Sequence, residues 1–114
     1  MYELRVPGVP PPLNRYYAGV SHWRRTADKN KWRSIFGAAI REQLPKRLVV
    51  PLTLSVTENV KRSRDPDGAV VAAKFLMDAL VDTGRIDDDG PNQISCVILR
   101  VVKTGKDETV ILIS

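Results

Sequence analysis

Asp65 and Asp67 stand either side of a proline in Arg64-Asp65-Pro66-Asp67, and Asp87-Asp88-Asp89 follows downstream. In an extended segment residues i and i+2 project to one side, so the first two carboxylates point the same way. Two such groups repel unless a proton or a cation lies between them. Asp67 also opens a helical stretch, where the positive end of the dipole favours its ionised form. Lys74 is seven positions further on, about two turns, and so shares the face of Asp67. A third carboxylate, from the turn Asp87-Asp88-Asp89, meets the pair if that turn folds back along the sheet. Hard oxygen donors without histidine or thiolate suit Mg²⁺ or Mn²⁺ and not zinc. Such a site suits phosphodiester cleavage, in which the metal activates water and neutralises phosphate charge. A lysine beside it can hold a non-bridging oxygen or steady the leaving group. The same residues also have a plainer reading as helix capping, a solvated turn and a surface lysine. An EF-hand is excluded: with Asp89 and Gly90 at its fifth and sixth positions, Arg85 would be first and Cys96 last.

The charge pattern gives these acids a context. Net charge is +5, which favours a polyanionic partner such as nucleic acid. From Asn14 to Arg47 the basic residues are Arg15, Arg24, Arg25, Lys29, Lys31, Arg33, Arg41, Lys46 and Arg47, against Asp28 and Glu42 alone. From Asp65 to Asp89 the bias reverses, and seven aspartates face only Lys74 and Arg85. One surface is therefore expected to hold an anion and another to handle cations. A single cysteine and a single histidine exclude a disulfide framework and any zinc site built mainly from those residues.

Positioning these groups takes one domain, spanning residues 1–114. A content of 43% hydrophobic and 27% charged residues excludes wholesale disorder. Tyr2–Val6 alternates, Leu48–Glu58 is dense in Val, Leu and Thr, and these with Ile94–Val102 and Thr109–Ile113 predict strands. The last two are expected to form a hairpin through 104–108. Thr26–Leu44 and Asp67–Thr83 predict helices, the second with Asp67 as N-cap and Gly84 just past its end. Its apolar face is read as Val70, Val71, Phe75, Leu76 and Leu80. The order β-α-β-α-β-β predicts an α+β domain with two helices on one face of a mixed sheet. No apolar run reaches the roughly 20 residues of a membrane span, and MYELRVPGVP carries no signal-peptide pattern. A cytoplasmic chain without a membrane partner is the expectation. Cys96 is expected in the core as a reduced thiol.

At these positions the sequence resembles the RusA family of endodeoxyribonucleases, the Holliday-junction resolvases of bacteria and phages. Pro10-Pro11-Pro12-Leu13-Asn14-Arg15-Tyr16-Tyr17 is similar to the family's proline-rich opening followed by Asn-Arg-Tyr-Tyr. Arg64-Asp65-Pro66-Asp67 resembles its Arg-Asp-x-Asp signature, Lys74 and Asp78-Ala79-Leu80 its following helix, and Gly84 through Asp89 its Gly-x-x-x-Asp-Asp turn. Gly68 stands where the family usually has asparagine, and Lys74 lies about one turn further on than in its better-known members. The resemblance implies catalytic Asp65, Asp67 and Asp89 with Lys74, and Mg²⁺ or Mn²⁺ held by the aspartates, Asp88 being the alternative third ligand. No small-molecule cofactor is implied. It also implies a homodimer that nicks two opposed strands of a four-way DNA junction symmetrically, in recombination and repair. A C2 dimer presents two equal sites to a junction of approximate two-fold symmetry.

The residues expected to touch DNA are Asn14, Arg15, Tyr17, Trp23, Arg24, Arg25, Lys29, Lys61, Arg62 and Arg64. The cations hold phosphates, while Tyr16, Tyr17 and Trp23 stack on bases or pack against the helix. Lys31 and Arg33 share that basic face, and His22 reads as a phosphate or surface contact. Rival readings are a non-catalytic nucleic-acid-binding protein and a scaffold of the same type that has lost cleavage.

Overall fold

The computed structural model describes residues 1–11 and 22–114; the side chains of His22, Trp23 and Asp67 fall outside that description. Along the chain run β1 (Tyr2–Pro7), α1 (His22–Gln43), β2 (Leu52–Val60), a 3-10 turn (Pro66–Ala69), α2 (Val70–Asp82), β3 (Ile94–Lys103) and β4 (Glu108–Ile113). This is the expected α+β order. On β2 the residues Leu52, Leu54, Val56, Glu58 and Val60 are buried, and the residues between them are half-buried. That alternation turns one sheet face to the helices. Trp32, Phe36, Ala39 and Ile40 of α1 recur at helical spacing and meet Val71, Phe75, Leu76 and Leu80 of α2 in one core. Leu4, Val6, Ile111 and Ile113 complete it from the sheet. Each large side chain so buried contributes about 1.5–3 kcal/mol.

The ends of α2 differ in how they are made. Asp67 is not its N-cap: Ala69 occupies that position without a side-chain bond, and the α-helix begins at Val70. The 3-10 turn intervenes, with the Gly68 N–H donating to the Asp65 carbonyl at 3.0 Å. Val70, expected on the apolar face, is 37% exposed, whereas Ala69, Val71 and Ala72 beside it are buried, so it lies on the outer side of the first turn. The C-terminal end is as expected. Gly84 takes φ +74°, its N–H donates to Val81 at 3.0 Å, and the Arg85 N–H donates to Leu80 at 3.0 Å. This is a Schellman motif, which needs a residue free to turn left-handed.

The sheet order is β1-β4-β2-β3, with β2 and β3 parallel and the other pairs antiparallel. The expected β3–β4 hairpin does not form; the two strands flank β2 instead. The reason is the crossover: α2 returns the chain to the start of β2, so the next strand runs parallel to it. Cys96 pairs with Thr53 on the strand register and is exposed, not in the core. Because α2 runs back along β2, residues 61–69 gather at one end of the unit and 83–93 at the other. Among the described residues no helix is long and apolar enough to cross a membrane.

Candidate nucleic-acid and metal site

Residues 61–64 leave the end of β2 as a basic loop fixed at both ends. The Lys61 N–H donates to Asp107 Oδ1 at 2.8 Å, and the Arg64 guanidinium donates to Glu58 Oε1 and, at 3.0 Å, to the Pro10 carbonyl. Glu58 is the unexpected part. It occupies a register its neighbours fill with leucine and valine, and it is 0% exposed. Burial pushes its carboxyl above the ordinary range, with the charge and hydrogen bonds of Arg64 pulling the other way. Among the described residues, its Oε2 and the Arg64 Nε are buried without hydrogen-bond partners. Arg64 is thus a tether between β2 and the proline segment, where the sequence placed it on DNA. The signal was present in the parity: a glutamate two positions beyond Val56 must point inward.

A cleft of about 530 Å³ opens between this loop and α1. Arg24, Lys31, Lys61, Arg62 and Arg64 line it, with Pro10, Pro11 and Trp32 as its apolar wall and Asp28 and Asp107 as its acids. Of the residues expected on DNA, Arg24, Lys61, Arg62 and Arg64 meet here. Lys31 and Trp32 join them, Lys31 lying 5.8 Å from the Trp32 ring centroid. Asn14, Arg15, Tyr16 and Tyr17 lie outside the described residues, as do the side chains of His22 and Trp23. Arg25 is not part of this cleft. Lys29 lines a second cleft with Arg33, Asp78, Val81, Asp82, Asp88 and Asp89. Arg33 pairs there with Asp82, which leaves it bound to protein rather than facing the basic cleft.

The carboxylates divide between the two ends of α2. Asp65 is exposed just before the 3-10 turn, and its side chain has no hydrogen bond or ion pair among the described residues. Asp67 lies within that turn by its backbone alone. Lys74 is exposed on α2. In the acidic turn Asp87 pairs with Arg47 at 2.9 Å, and Asp88 accepts from the Gly90 N–H at 2.7 Å. A Cβ on Gly90 would approach Asp88 Oδ1 to 2.9 Å, so a larger residue there would have to displace that carboxylate. Asp89 is exposed with no such partner among the described residues, which makes it the freest donor of the three. The turn does not fold back to Asp65. It meets Asp78 and Asp82 instead, and α2, roughly 18 Å long at 1.5 Å per residue, lies between. Among the described residues no three metal-ligating side chains of one chain come together. The donors are the hard oxygens that Mg²⁺ takes, but one chain holds them in separate places.

No protein-family model and no curated protein sequence matches the chain. The arrangement is therefore read on its own chemistry. The basic cleft suits a phosphate backbone, and the first free carboxylate follows directly on the loop that lines it.

Proposed function

We propose that the chain is a metal-dependent, structure-selective DNA endonuclease that resolves four-way junctions by paired symmetric nicks as a homodimer. It would serve DNA recombination and repair in a bacterial or phage-encoded, cytoplasmic setting. One observation carries this reading. The cation-lined cleft is built by the loop that runs directly into Asp65, so a strand held by Arg24, Lys31, Lys61 and Arg62 would lie close to the carboxylate. Asp65 and Asp67 would hold Mg²⁺ or Mn²⁺ together with Asp89, or with Asp88 as the alternative. When bound, the ion supplies Lewis-acid activation of water and charge neutralisation. Since Asp65 and Asp89 lie at opposite ends of α2, the reading takes the third carboxylate from the second copy. Lys74 is assigned to a phosphate oxygen, because an ammonium close to a metal ion is repelled by it. Glu58 and Arg64 hold the loop that presents Asp65.

The second reading, a non-catalytic nucleic-acid-binding protein, draws on the acidic turn itself. Asp87 and Asp88 are already used by Arg47 and the Gly90 N–H, as structural acids would be. A labelled four-way junction and a linear duplex, each with Mg²⁺, Mn²⁺ or EDTA, separate the two. Paired nicks in the junction alone, lost in EDTA, are expected. Binding without nicking in any metal selects the second reading, and absence of binding removes both.

A further inference from the structure

Among the described residues β3 is an edge of the sheet and pairs with β2 alone. Edge strands of monomers are usually short, or guarded by charge, proline or a bulge. The opposite edge, β1, follows that rule: it is six residues long, carries Glu3 and Arg5, and ends at Pro7. β3 does not. It runs for ten residues, Ile94–Lys103, with no proline and with no charge before Arg100. Its register against β2 is regular from Thr53 onward. Val97, Ile98 and Val102 are 36%, 41% and 44% exposed, and Cys96 is exposed beside them.

Charge names the occupant. The C-terminal end of β3 carries Arg100 and Lys103, neither engaged by an acid among the described residues. Its N-terminal approach carries Asp87, Asp88 and Asp89. A second β3 laid parallel would set like charge against like. Laid antiparallel about a two-fold axis, the basic end of each strand faces the acidic approach of the other, and the contact closes upon itself. We propose that the free edge of β3 is the docking site for β3 of a second copy of this chain, paired antiparallel to continue the sheet. The inference specifies the contact of the dimer named above, and it does not depend on cleavage.

Light scattering of the unmodified chain at tens of micromolar is expected to give twice the chain mass. In a Cys96→Ser background, Ile98→Cys should be linked into dimers by a short bismaleimide. Leu112→Cys, on β4, should not be, because its two copies would lie roughly 24 Å apart across five strand spacings. Arg100→Glu with Lys103→Glu should raise the dimer dissociation constant at least tenfold at low salt, and the difference should shrink at high salt. A monomer at every concentration overturns the proposal. Linking at Leu112→Cys but not at Ile98→Cys overturns it in favour of sheet faces stacked on one another. A dissociation constant indifferent to Arg100 and Lys103 overturns the antiparallel pairing. None of these readings uses nuclease activity, so a failure of the endonuclease reading registers separately, in the junction assay.

Discussion

Glu58 shows how one misplaced residue type reports on a site. Its folded-state carboxyl binds a proton more readily than in the unfolded chain, chiefly because burial disfavours the charge. The folded state then holds more protons over the window from the ordinary glutamate value, about 4.3, up to the raised one. Stability from this group must fall as pH rises through that window, opposite to the usual acid. Glu58→Gln should flatten that part of the curve, checked by thermal melting of both chains from pH 4 upward; parallel curves would refute it. At the carboxylates proposed to hold metal, Asp65→Asn and Asp89→Asn should each cut junction nicking at least about a hundredfold, a loss of several kcal/mol. Binding of the junction should persist in both. Asp87→Asn should nick normally, since Asp87 already serves Arg47. Gel assays of binding and nicking on the same preparations decide this.

At the scale of elements, the end of α2 was legible in the sequence because only glycine takes φ +74° without cost. Gly84→Ala should therefore destabilise the chain by about 1–2 kcal/mol. Nothing lies within 4 Å of the added Cβ, so the whole effect is conformational. A urea midpoint that does not move would refute it, and Gly84→Asn should lose less. The start of α2 was not legible. Asp67 has the type of an N-cap, but the 3-10 turn places Ala69 there. The first strand was found from its alternation and the second from its Val, Leu and Thr content, whereas the β3–β4 pairing was wrongly inferred from nearness in sequence. Strand patterns encode which face is buried and say little about which neighbour is bonded. The same limit misplaced Cys96, because an edge strand buries fewer of its alternate residues. The start of α1 was missed because its first turns carry no apolar periodicity to read.

Across the whole molecule, the basic half of the sequence does become a surface, though a narrower one than its charges implied. Lys29 and Arg33 turn toward Asp78, Asp82 and the acidic turn, and only part of the set faces the cleft. The distance between Asp65 and Asp89 was hidden for a related reason: it depends on the direction of α2 along the sheet, which no local motif carries. Replacing Lys31, Lys61 and Arg62 with alanine should reduce the slope of log affinity against log salt by about 3, near 0.9 for each phosphate no longer neutralised. Lys46→Ala, on the connection between α1 and β2, should leave the slope alone, and titrations of duplex and junction at several salt concentrations test both. The strand order has a consequence for synthesis on the ribosome. β4 lies between β1 and β2, yet of the four strands it is translated last. Of the four strands β1 leaves the exit tunnel first, and among the described residues its strand partner is β4, which follows only with residues 108–113. The nascent chain must therefore carry a sheet with a gap at its centre, and the final strand enters as a wedge between two waiting edges.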